Sequence, residues 1–201
     1  MKNADETSLT LLANLRLEDP QAWNTLVQIY GPLVYSWCRN AGIQPNDGSD
    51  ISQAVFSTVH RKISTFDPDQ KSSGAFRSWL WGITRLKILE FYRLHARLEK
   101  ATGGTSFQKR LEQIEGETDE PESIEGMTPQ ELLVRSALKV LKESVEPSTW
   151  QCFWRMTVDG HSAKEIGADL SMTTKAVRQA KFRFTKMLRE QLGDDFPDTL
   201  V

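Results

Sequence analysis

Apolar residues recur along this chain at intervals of three and four with polar residues between, which is the pattern of amphipathic helices. Before Gly31 the repeat runs through Leu9, Leu12 and Ala13. After the Asp19-Pro20 start it continues through Trp23, Leu26, Val27 and Tyr30. Pro32 is placed to open a further helix through Leu33, Val34, Trp37 and Cys38, ending near Gly42. The stretch PNDGSD (Pro45 to Asp50) reads as a turn that caps a helix through Ile51, Val55, Phe56, Val59 and Ile63. FDPDQKSSG follows as a loop by composition, and then a long helix from about Ala75 to Arg97.

That long helix opens with FRSWLWGITRLKILEFYR and is apolar on two sides. One predicted stripe is Phe76, Trp79, Leu80, Ile83 and Leu86; another, roughly opposite, is Trp81, Arg85, Ile88 and Tyr92. The first suits the seam of a small bundle. The second calls for another helix, a partner, or unstacked bases lying on its aromatics beside Arg85 and Arg93.

Beyond Lys100 the periodicity fades through ATGGTS and an acid-rich stretch to about Met127, which reads as a flexible linker. A Thr128 cap then starts a helix through Leu132, Leu133, Ala137, Leu138 and Leu141. Another begins after Pro147, carrying Trp150, Phe153, Trp154 and Met156. Two shorter helices, Ser162 to Leu170 and Thr173 to about Leu192, flank a tight turn at Leu170-Ser171-Met172, which is helix-turn-helix spacing. No segment alternates like a half-buried strand. The expected fold is all-α: two small helical domains, 1–100 and 128–192, joined by an acidic linker, 101–127, with a tail, 193–201.

Charge sharpens this picture because it is uneven. The formal net charge is -2. Lys71 to Lys100 holds seven bases against two acids, Glu112 to Glu131 holds eight acids and no base, and Lys164 to Glu190 holds seven bases against three acids. Two basic blocks flanking an acidic one suggest a polyanion touched at two places. In the last helix Val177, Ala180, Phe184 and Leu188 share one predicted face. Lys175, Arg178, Gln179, Phe182, Arg183 and Lys186 lie opposite, with cations for phosphates and Arg and Gln suited to base edges. Phe182 is matched to a thymine methyl or a sugar.

Other chemistries find no footing. Cys38 and Cys152 stand far apart in apolar surroundings and read as buried free thiols. His60, His95 and His161 are scattered, with no metal-ligand spacing, phosphate loop or nucleophile elbow. No enzyme, metal, cofactor or small-molecule substrate is expected. The start MKNADETSLT lacks a leader pattern and no apolar run would span a bilayer, so the expected location is cytoplasmic, without membrane insertion.

From about Ser8 to Leu192 the chain resembles the small two-domain bacterial sigma factors of the extracytoplasmic-function (ECF) type. DISQAVFSTVHRKISTF, Asp50 to Phe66, is similar to the family segment that docks on the β′ clamp helices of core RNA polymerase, which implies polymerase contacts at Asp50, Gln53 and Phe56. FRSWLWGITRLKILEFYR is similar to the segment that melts and holds the promoter -10 element, implying Arg77, Trp81, Arg85, Tyr92 and Arg93 as its contacts, with Lys71 from the loop before it. The helix-turn-helix resembles the domain that reads the -35 element near the β flap. Core polymerase and promoter DNA are thus the implied partners, with an anti-sigma factor as an optional third. The resemblance also puts capture of a flipped base in the loop of Asp67, Gln70, Lys71 and Ser72, and the acidic linker in the channel that RNA later leaves through. The chain departs from the family pattern at Ala54, where an acid is usual, at Leu86, where Asn is usual, at Glu90 in place of Asp, and at Trp150, where a charge is common. Two alternatives stand beside this reading: a helix-turn-helix regulator with an N-terminal dimerisation or sensory module, and a polymerase-binding protein that does not open promoters.

Overall fold

A computed structural model describes residues 5–67, 75–101, 105–116, 119–121 and 126–197. Among them the extended regular elements are nine helices, so the all-α expectation holds. They are α1 (Asp5–Arg16), α2 (Pro20–Asn40), α3 (Pro45–Lys62), α4 (Ala75–Ala101), α5 (Ser106–Gly116), α6 (Pro129–Ser144), α7 (Pro147–Thr157), α8 (Ala163–Asp169) and α9 (Thr174–Leu192), with single 3-10 turns at Ile63–Thr65 and Gly193–Asp195. They gather into two compact units, Tyr30–Leu132 and the combination of Met1–Ile29 with Leu133–Val201.

Three local readings are corrected. Pro32 does not open a helix but lies inside α2. A proline N–H missing from one turn is a small loss when Leu33, Val34, Trp37 and Cys38 on the following turns are fully buried. PNDGSD is not a turn before a helix but the first turns of α3, with Pro45 at the first helical position after Gln44. The third correction is α5. The stretch expected to be a flexible linker carries this helix, because Phe107, Leu111 and Ile114 fall at helical spacing and bury Leu111 and Ile114 beneath its acidic surface.

In the Tyr30–Leu132 unit, the core runs through Leu33, Val34, Trp37, Ile51, Val55, Val59, Leu80, Trp81, Ile88 and Tyr92. Trp37 meets Trp81 at 5.3 Å between ring centres, and Phe66 gathers Phe76 and Trp79 at 5.6 and 4.9 Å. Thr84, buried in mid-helix, satisfies its hydroxyl by donating to the Leu80 carbonyl at 2.8 Å.

The other unit joins α6 to α9 with α1, which packs on α9. Its centre is Leu133, Ala137, Phe153, Ile166, Val177, Ala180, Phe184 and Leu188. Phe153 and Phe184 lie 4.4 Å apart, and Trp150 meets Phe184 edge-on at 5.4 Å. Trp150 is thus part of an aromatic wall.

Candidate nucleic-acid and polymerase interfaces

The helix-turn-helix is fixed by local chemistry at both helix starts. Ser162 caps α8 in a reciprocal box: its hydroxyl accepts from the Glu165 N–H, while the Glu165 carboxylate accepts from the Ser162 N–H at 2.8 Å. Thr173 caps α9 by accepting from the Ala176 N–H at 3.1 Å. Between them Ser171 takes a left-handed φ of 54°. The turn passes so close that a Cβ on Gly167 would stand 2.6 Å from the Met172 carbonyl oxygen, so glycine is needed for this approach. Cys152, Ala163, Ile166, Val177 and Ala180 pack beneath, with Met156, Leu170 and Met172 at the edge.

This packing turns one face of α9 outward. Lys175, Arg178, Gln179, Phe182, Arg183 and Lys186 are all exposed, and Phe182 is 70% exposed. The six predicted residues therefore share one surface, four cations around an open aromatic ring. On α3, Asp50 and Gln53 are exposed on the outer face beside Ala54, while Phe56 is half-buried on its flank.

The α4 group is arranged otherwise. Trp81 and Tyr92, which the resemblance implies as -10 contacts, are 9% and 4% exposed, so their stripe is covered by the protein itself. Trp81 packs on Trp37, and the Tyr92 hydroxyl donates to the Ala41 carbonyl at 2.8 Å. Burial pushes the Tyr92 hydroxyl above its ordinary pKa, with Arg110 acting in the opposite sense. Leu86, expected on the seam, is 52% exposed. The buried row is Leu80, Thr84, Ile88 and Tyr92, and Leu86 lies two residues past Thr84, about 200° around the helix. Leu80 and Ile83 of the predicted seam are buried, so the wheel misplaces only its Leu86 edge. Ser78, Gly82, Leu86, Glu90, Leu94 and Leu98 mark the outer face instead.

The arginines of α4 meet the segment after it. Arg77 pairs with Glu120 at 2.9 Å and Arg93 with Glu115 at 2.8 Å, while Arg85 donates to the carbonyls of Ile114 and Glu115 at 3.3 and 3.0 Å. Lys71, Gln70 and Ser72 lie outside the described residues; Asp67 is exposed. Sequence reasoning missed Arg110, which donates to the Ala41 and Asn40 carbonyls at 2.8 and 3.0 Å where α2 ends. Its signal was that, of the two bases Lys109 and Arg110 at the start of the acid-rich stretch, Arg110 stands at helical spacing from Phe107 and Ile114.

Residues 26–98, which hold both the outer face of α3 and most of α4, match the family model of sigma-70 region 2. A curated relative, the "ECF RNA polymerase sigma factor SigE" of Mycolicibacterium smegmatis, is 24% identical over 178 residues. The chain is thus similar to the ECF-type sigma factors, with a sigma-70 region 2 match over residues 26–98. The alignment takes in 89% of this chain and 64% of that relative, so the chain spans under two thirds of the relative's length. The matched region 2 ends before α5, and the helix-turn-helix lies beyond it. Among the described residues no group of His, Cys, Asp and Glu is placed to hold a metal ion, and no helix is long and apolar enough to cross a membrane.

Proposed function

We propose that this chain is a sigma factor that binds core RNA polymerase through the outer face of α3, at Asp50, Gln53 and Phe56, and directs it to promoters through two DNA-binding helices. The exposed face of α9, with Lys175, Arg178, Gln179, Phe182, Arg183 and Lys186, enters the major groove of the -35 element near the β flap. The α4 helix serves the -10 element: Arg77, Arg85, Arg93 and Lys71 hold the opened strand by its phosphates. Trp81 and Tyr92 lie beneath and keep the arginines in register; a base stacks on either ring only if this packing opens. The protein acts in the cytoplasm, with no catalytic chemistry, cofactor or small-molecule substrate of its own. An anti-sigma factor is a further partner in keeping with the family.

The observation that carries this reading is the region 2 match, because it spans in one stretch the α3 face and the basic helix that a plain helix-turn-helix regulator does not need. Physical chemistry divides the labour, since cations fix the DNA backbone while base edges and aromatic contacts give selectivity. Run-off transcription with core polymerase tests it: promoter-specific transcripts are expected only when the protein is added. Tight sequence-specific duplex binding without polymerase, and no transcript with it, would favour the regulator instead. Polymerase binding without a transcript would favour the protein that does not open promoters.

A further inference from the structure

The residues assigned to the -10 strand are already engaged within the chain. Arg77, Arg85 and Arg93 recur every eight residues along α4, about 12 Å apart at 1.5 Å per residue. Each meets a negative group from 114–120. Glu120 holds Arg77, the Glu115 carboxylate holds Arg93, and the carbonyls of Ile114 and Glu115 accept from Arg85 at the negative end of α5. These are the groups a phosphate would replace, oxygen acceptors on a guanidinium.

What keeps the acids there is mostly not charge. Leu111 and Ile114 are buried, and Phe107 stacks on His95 at 5.2 Å beside Tyr92 at 5.8 Å. Glu99 accepts from the Phe107 N–H at 2.7 Å and from the Ser106 hydroxyl, tying the start of α5 back to α4. Arg110 clamps the same helix to the end of α2. An apolar seam thus delivers the acidic groups onto the arginine row whether or not DNA is near.

We propose that in the free sigma factor α5 and Glu120 occupy the arginine row of α4 as an intramolecular competitor of the opened promoter strand. The device rests on the -10 assignment made above. The Arg93–Glu115 pair is about half exposed and individually weak, while the Arg77–Glu120 pair is part-buried, so a strand presented by the polymerase displaces them where a stray one does not. Exchanging carboxylate for phosphate on the same guanidinium also leaves little net change in paired charge. Strand binding by the intact chain is therefore muted in its salt dependence.

The test uses the full chain without polymerase and a short labelled thymidine oligonucleotide, titrated at several salt concentrations. Glu115→Gln with Glu120→Gln removes the two carboxylates on the row. Glu112→Gln with Asp119→Asn removes equal charge from the same segment at exposed positions. The first pair is expected to bind about tenfold tighter, with the slope of log affinity against log salt steeper by about 1.4, at ~0.7 for each of two arginines released. The second pair is expected to shift affinity by no more than about twofold. Equal effects in the two pairs, or an unchanged slope in the first, would overturn the proposal. Run-off transcription with Arg77→Ala, Arg85→Ala and Arg93→Ala separates the two levels. If these variants fail to open promoters while the first acidic pair leaves oligonucleotide binding unchanged, only the competitor is wrong; if they open promoters normally, the -10 assignment falls with it.

Discussion

Phe182 and Phe184 stand two residues apart on α9 and answer to different demands. Phe184 is fully buried against Phe153 and Trp150, so Phe184→Ala is expected to cost about 3–5 kcal/mol in urea unfolding. Phe182 touches solvent, and its replacement by Ala should leave stability within about 0.5 kcal/mol while weakening transcription from promoters with an intact -35 element. The same contrast divides α4. Trp81→Ala is expected to cost about 3–5 kcal/mol through its contact with Trp37, and Leu86→Ala less than about 0.5 kcal/mol. The α9 face was legible in the sequence because its apolar and basic residues lie on opposite sides. On α4 Leu86, Leu94 and Leu98 are exposed among arginines, and apolarity alone does not say which side is core.

The helix-turn-helix is the element whose geometry depends most on single backbone positions. Gly167→Ala drives a Cβ into the Met172 carbonyl and is expected to cost about 1–3 kcal/mol, whereas Ser171→Gly relieves a positive φ and should stabilise by up to about 1 kcal/mol; thermal unfolding of the two variants checks both signs. The caps add a pH signature. The N–H and hydroxyl of Thr128 hold the Glu131 carboxyl below its usual 4.5, and the hydroxyl and N–H of Ser162 do the same for Glu165. Lowered folded-state pKa values mean that this stabilisation is fully present above pH 4.5 and fades as pH falls through the lowered values. Acid titration followed by circular dichroism should therefore show Glu165→Gln losing part of the wild-type pH dependence on the acid side of 4.5. The Thr128 cap was readable from Thr-Pro-Gln-Glu; the Ser162 box, in Ser-Ala-Lys-Glu, came from the structure. The α5 helix was not readable, since the acids that set its composition mask a three-residue apolar seam.

For the whole molecule, a net charge of -2 conceals surfaces of opposite sign, and duplex binding follows the surface rather than the total. Lys175, Arg178, Arg183 and Lys186 are the cations of the α9 face, so the free chain should bind duplex DNA with a log–log salt slope no steeper than about -3.6, at ~0.9 per phosphate. A filter-binding titration measures this, and a markedly steeper slope would mean that other cations reach the duplex. The two cysteines bear on the molecule in another way. Cys38 belongs to the Tyr30–Leu132 unit and Cys152 to the other; both are buried, and burial pushes the Cys38 thiol up to about 12. An alkylating reagent attacks thiolate, so near neutral pH each sulfur reacts only when the structure around it opens. Each unit thus carries its own clock. Peptide mapping after timed iodoacetamide exposure would report two opening rates from one sample, equal if the units unfold together and unequal if each keeps its own time.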